Sequence, residues 1–235
     1  MSFIPEVRLA VNQYVDAHLP SAAWYSRYFD FVADAELADR LSEEFRAARS
    51  VYKLLRGLDP TDWLQRAQVR MQVLQYASIY EAVIHHLLFD RFSDESSVRE
   101  LVEFKVLKRI SIPTAKLEML RTALSHNGQE IIPTYQGIGR NDETKVRFDA
   151  KVDCAVRLGL LDVGLAAEIA QIYEARNAVH IHAELRKGLQ YEIELARMAY
   201  RRMEPFRDQL VASLRLRGKL PEGGGQPMTF SERDV

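Results

Sequence analysis

Of the 11 glycines in this 235-residue chain, only Gly57 precedes position 128. Interior glycine costs a helix backbone entropy, so so long a glycine-poor stretch with apolar residues three and four apart specifies α-helix. Residues 62–89 show the pattern best. Val69, Val73, Tyr76, Tyr80, Val83 and Leu87 recur on one face and predict a long core helix. Punctuation falls between such periods. Pro20-Ser21 predicts a start for SAAWYSRYFDFV and Asp34 a cap for AELADRLSEEFRAARSVYKLLRGL, while Gly57 with Asp59-Pro60-Thr61 predicts a stop and a new start. A shorter helix is predicted from Ser93 through SDESSVRELVEFKVL, with acids in its first turn.

Regularity weakens over residues 108–144, which hold two prolines, three glycines and the turn signal Asn127-Gly128. This segment reads as an irregular insertion, with a helix over 114–124 and short strands, RISI and QEIIPTY, paired as a small β-hairpin. Helix resumes at VRFDAKVDCAVRLGLLD, where Gly159 follows the helix end and Asp162 caps VGLAAEIAQIYEAR. AELRKGLQYEIELARMAYRRMEPFRDQLVASLRL predicts one long final helix with a kink at Pro205. The Gly- and Pro-rich tail predicts disorder. The expected organisation is an N-terminal helical extension (1–58), a helical bundle (59–219) interrupted at about 108–144, and a disordered tail (220–235).

A hydrophobic content of 47% suffices for one sizeable core. With 32 Lys+Arg against 33 Asp+Glu, the net charge of −1 excludes a general polyanion-binding coat, so any RNA contact must be local. The nearest thing to a basic stripe is residues 184–219, where nine Lys and Arg face five acids, a pattern that suits either an RNA backbone or a solvated helix face. Cys154, the only cysteine, excludes an internal disulfide and fits a buried small hydrophobe in a reducing compartment. The first residues lack a signal-peptide pattern, and no apolar run approaches the ~18 residues of a membrane span, so a cytoplasmic protein without a membrane partner is expected.

The chemistry-bearing segment is EARNAVHIH, residues 174–182, where Arg176, Asn177, His180 and His182 interrupt an apolar helical pattern. These are residue types that cleave RNA without a metal or cofactor, because RNA supplies its own 2′-hydroxyl nucleophile. Histidine, with an unperturbed pKa near ~6.5, takes the proton from that hydroxyl or gives one to the departing 5′-oxygen. Arginine holds the non-bridging phosphate oxygens in a fork as charge builds there. Asparagine orients a partner or caps the helix. The bland alternative is a polar interhelical bend in which Asn177 is a cap and Arg176 half of an ion pair.

Arg176-Asn177 and His182 resemble the mark of the HEPN domains (higher eukaryote and prokaryote nucleotide-binding). That mark is an Arg, commonly followed by Asn, then a His after four to six residues, where the third helix of a small bundle gives way to the fourth. Here five residues intervene. The resemblance implies an all-α, HEPN-like up-and-down helical bundle, with its core in residues 62–199 less the insertion. It also implies a homodimer whose two motifs share a cleft, and metal-independent endoribonuclease activity leaving a 2′,3′-cyclic phosphate. Many such proteins are toxins or anti-phage defence effectors, which brings an antitoxin or defence-system partner protein into view. Other members are non-catalytic binding or scaffold modules, the alternative expectation here.

The chain departs from the family pattern in two respects. His180 follows Arg176 after only three residues, yet on a straight helix it lies about 40° from Arg176, whereas His182 lies about 120° away. Choosing His182 therefore requires a bend or a partner subunit. Glu184 stands where one toxin branch carries Tyr. A second match, Arg121 to His126, lacks the Asn and precedes a turn. Glu81 with His85, and His86 with Asp90, are spaced like helix-borne metal ligands, but no second such helix completes a site, and no metal is expected. Gly137-Ile138-Gly139 lacks the frame of a phosphate loop.

Overall fold

The computed structural model describes residues 2–124, 127–129 and 132–228. Two compact units emerge, Met1–Ser93 together with Arg147–Val235, and Asp94–Val146. In chain order the first opens with α1 (Pro5–Ala17), α2 (Ala22–Tyr28), α3 (Ala35–Gly57) and α4 (Asp62–His86). The second holds α5 (Ser96–Val102), β1 (Glu103–Arg109), α6 (Thr114–Ala123) and β2 (Thr134–Arg140). The first then closes with α7 (Phe148–Arg157), α8 (Val163–Asn177), α9 (Ile181–Lys187), α10 (Ile193–Arg201) and α11 (Met203–Leu216).

Three helix starts, those of α2, α3 and α8, follow side chains that satisfy orphan backbone N–H groups. Ser21 Oγ accepts from Trp24, Asp34 from Leu37 at 3.0 Å and Asp162 from Leu165 at 2.9 Å. The axis of the larger unit is α4, against which α3, α7, α8 and α10 pack. All six residues of its periodic face are buried. At its end the chain winds into a π turn over Leu87–Arg91, closed by Phe92 N–H to Leu87 O at 2.9 Å.

Helices α2 and α3 of the expected extension belong to the core. Phe45 of α3 is fully buried, with the rings of Tyr28, Tyr25 and Tyr200 centred 4.9, 5.4 and 6.1 Å away. Gln72 on α4 donates to Ala48 O at 3.1 Å, tying α3 to α4 by a buried amide. The expected boundary at 58/59 therefore runs through a continuous core.

Three further expectations are corrected. The helix predicted from Ser93 ends at Val102, because the β-prone run that follows pairs with β2. The hairpin partners are Glu103–Arg109 and Thr134–Arg140, so the expected strands RISI and QEIIPTY overlap them only at Arg109, Thr134 and Tyr135, with Ile110 N–H bonding Pro133 O at 3.0 Å, and Glu130 and Ile131 lie outside the described residues. The long final helix is three helices. Gly188, in the left-handed region at φ 61°, ends α9, and the chain then runs extended to α10. Pro205 sits in the first turn of α11, where its missing N–H costs no bond.

Residues 220–228 of the expected disordered tail are docked. Gly225 and Gln226 donate their N–H groups to the Asp30 carboxylate at 2.9 and 3.1 Å, and Arg207 and Arg215 donate to the carbonyls of Gln226 and Gly225. Glycine is required for this approach, since a Cβ on Gly224 would meet the Asp30 carbonyl at 2.5 Å. Residues 229–235, and His126 of the second Arg–His match, lie outside the described residues. Among the described residues no helix is long and apolar enough to cross a membrane.

Candidate functional site

The chain breaks between the two halves of EARNAVHIH. Asn177 is the last residue of α8, Ala178 caps it, and His180 caps α9, so that His182 lies in the first turn of the next helix. Straight-helix geometry thus does not apply from Arg176 to either histidine, and the bend that His182 requires is present. No Gly or Pro marks the break. What holds it is tertiary. Tyr191, in the extended segment after α9, donates its hydroxyl to Ala175 O at 2.8 Å in the last turn of α8. Arg70 of α4 lies over the Tyr191 ring at 5.2 Å and pairs with Glu184 of α9. Lys187 donates to Glu174 at 2.8 Å, pinning the far end of α9 to α8.

Arg176 is half-buried, while Asn177, His180 and His182 are exposed. The guanidinium lies over the Tyr173 ring, 5.1 Å from its centre, and donates to Asn177 Oδ1 at 3.0 Å. Among the described residues it is committed to no carboxylate. Its hydrogen bond goes to Asn177 rather than to a histidine, so one chain brings Arg176 and Asn177 into contact and leaves both histidines on the surface beside them. A surface groove of about 720 Å³ adjoins the motif, lined by Asn177, Tyr173, Gln171 and the ion-paired Arg147 and Lys187.

Beneath Arg176 lies a network that the sequence pattern did not reveal. Tyr173 stacks on Phe148 with ring centres 4.0 Å apart and donates its hydroxyl to Glu81 Oε1 at 3.1 Å. Burial, with Glu81 close by, pushes the Tyr173 phenol up, so it stays a neutral donor. Glu81 also lies 4.0 Å from Lys151 Nζ, and Lys151 donates to His85 Nδ1 at 3.2 Å. Glu81 and His85, spaced like metal ligands, thus answer a lysine. His86 likewise bonds Asp90 at 2.8 Å, and among the described residues no group of three or more His, Cys, Asp and Glu could hold a metal ion. The only signal for the network was Glu81 and His85 one turn apart, because Phe148, Lys151 and Tyr173 come from other helices.

Lys151 is only 2% exposed, and burial lowers its pKa against the opposing pull of Glu81. Between the folded value and the ordinary lysine value, the unfolded chain holds a proton that the folded chain has lost, so stability rises with pH across that window. Below it, at neutral pH, the full cost of burying the cation applies. Lys151→Met is expected to raise the urea midpoint at pH 7, with the advantage over wild type shrinking as pH climbs towards the lysine range. A loss of stability that does not vary with pH would mean that Lys151 acts through its bonds to His85 and Glu81.

The basic stripe over residues 184–219 is largely consumed internally. Arg197 pairs with Glu194, Arg202 with Glu168 and Arg207 with Asp30, while Lys219 donates to Arg91 O. It is therefore an intrachain bonding surface rather than a track for a polyanion. Cys154 is buried, as expected of a small apolar side chain. The chain matches no family model, no curated protein and no solved structure.

Proposed function

We propose that this chain is a metal-independent endoribonuclease of the HEPN type, acting as a homodimer on RNA. The observation that carries the proposal is the break at residues 178–180. It leaves Arg176 free of any described carboxylate and bonded to Asn177, with Asn177, His180 and His182 all exposed within six residues of it along the chain. A scaffold role predicts the opposite, an Arg176 sequestered in an ion pair.

In the proposed reaction the RNA 2′-oxygen attacks the adjacent phosphorus while its proton passes to a histidine. The bond to the 5′-oxygen breaks, that oxygen takes up a proton, and the products are a 2′,3′-cyclic phosphate and a 5′-hydroxyl. Arg176 stabilises the charge on the non-bridging oxygens, Asn177 orients the guanidinium, and His182 serves as general acid or base, with His180 the substitute. Because two proton transfers are needed, a second copy facing the first supplies the complementary groups. Ile181 and Leu185, one turn apart on α9, are 69% and 74% exposed beside the motif and suit that contact. A toxin or defence effector held in check by a partner protein is the setting consistent with such an activity.

The test is incubation of purified chain with single-stranded and structured RNA in EDTA, with identification of the 3′ ends. Tyr173 is a positioning residue in this scheme. Tyr173→Phe keeps the ring under Arg176 and is expected to cleave within a few-fold of wild type, whereas Tyr173→Leu loses about 2- to 30-fold in kcat, the range of a cation–π contact. Equal losses in both variants would make the Glu81 bond, not the ring, the element that matters.

A further inference from the structure

We infer that the β-ribbon of the Asp94–Val146 unit is a platform for single-stranded RNA. In an antiparallel pair, directly opposed residues share a face. The register puts Phe104 with Gly139, Val106 with Gly137 and Lys108 with Tyr135 on one side, and Lys105, Leu107 and Arg109 on the other. Phe104 and Tyr135 are 45% and 52% exposed, near the two ends of one face. Four residues separate them along the ribbon, about 14 Å at the rise of an extended strand.

The two glycines that lack a phosphate-loop frame have their explanation here. A Cβ on Gly139 would meet the Phe104 ring at 2.6 Å, and one on Gly137 the Lys108 side chain at 2.9 Å. The ring and the lysine stem therefore lie against bare backbone, and Phe104 remains 45% exposed.

The charge is lopsided as well. The two strands carry Lys105, Lys108, Arg109 and Arg140 against Glu103 alone, although the whole chain is near neutral. Arg140 bonds Glu143, but Lys105, Lys108 and Arg109 make no ion pair among the described residues, unlike the stripe over residues 184–219. A phosphate backbone following the ribbon meets Lys105 and Arg109 on one face, and on the other Lys108, which leans across towards β2 on the face that carries Tyr135. Unpaired bases then stack on the exposed rings, the arrangement by which single strands are held without sequence readout. A protein strand adding to the edge of β1 is the poorer fit, because closely spaced cations on an edge strand oppose strand addition. The inference takes RNA as the polymer from the catalytic proposal but uses none of its residues.

The test uses the full chain carrying Arg176→Ala and His182→Ala, so that bound RNA survives, and a fluorescein-labelled 12-nucleotide oligouridylate in EDTA, read by anisotropy at several salt concentrations. Binding that weakens with salt is expected. Adding Lys105→Ala, Lys108→Ala and Arg109→Ala lowers the slope of log K against log salt by about 2, the value for three single-strand phosphate contacts. Tyr135→Ala weakens binding roughly 5- to 100-fold, and Tyr135→Phe restores it. Lys108→Glu, a single exposed change, gives the same direction should the triple variant misfold. Unchanged affinity and slope in these variants overturns the inference. So does self-association of the triple variant with RNA binding intact, which would make the cations guards of the strand edge. Ribbon-dependent binding without cleavage by the wild-type chain sinks the catalytic proposal alone, and cleavage without ribbon dependence sinks this one alone.

Discussion

His182→Ala is expected to slow cleavage of RNA about 10²- to 10⁴-fold, the contribution of a positioned general acid or base. Arg176→Ala is expected to cost about 10²- to 10³-fold, the effect of removing one donor aimed at developing phosphate charge. His180→Ala should fall within a few-fold of wild type, because in the proposed site His182 is the histidine at the spacing of the motif, while His180 stands at the N-cap position of α9 without a side-chain cap bond. Single-turnover rates on a labelled oligoribonucleotide in EDTA separate these cases. The double variant Arg176→Ala, His182→Ala should be little worse than the poorer single variant, since residues acting on one transition state are not additive. Wild-type cleavage that persists in both single variants removes the site. Loss confined to His180→Ala transfers the proton-transfer role to the helix cap.

The second large effect lies in the core. Asp30→Ala is expected to lower stability by about 3–5 kcal/mol, the cost of stranding a buried charge. The Asp30 carboxylate accepts from Arg207 Nη2 at 2.9 Å, and Arg207 is 2% exposed. The same carboxylate holds the N–H groups of Gly225 and Gln226, so the substitution also frees the docked tail. Arg207 keeps its bond to Tyr28 O at 2.9 Å, whereas its bond to Gln226 O goes with the tail, and its charge is left uncompensated. Urea unfolding should show a lower midpoint with little change in slope. Adding Arg207→Met should recover part of the loss, because a buried ion pair replaced on both sides by apolar groups is often close to neutral. No recovery would mean that the carboxylate matters chiefly for the tail.

Much of the helical architecture was legible in residue spacing. The buried face of α4, the caps at Ser21, Asp34 and Asp162, and the helix over 114–123 all follow from rules that act within one or two turns. The division of the final helix is not legible, because nothing nearby in sequence announces the non-helical run after Gly188, where Tyr191 reaches back to α8. The docking of residues 220–228 is illegible for a related reason. A glycine run has no stable structure alone, yet its lack of side chains lets the backbone approach Asp30, a partner almost the whole chain away.

The motif divides in the same way. The sequence by itself determined which groups stand in residues 174–182 and that they interrupt an apolar helix. Only the tertiary structure decided that the interruption is a bend, because Arg70, Glu184 and Tyr191 hold it from other elements. Only tertiary structure, likewise, set Arg176 over Tyr173 and Tyr173 against Phe148 and Glu81. Local spacing specifies helices because each turn is stabilised by its neighbours. A site is specified by side chains from several helices, and their meeting is a property of the packed core.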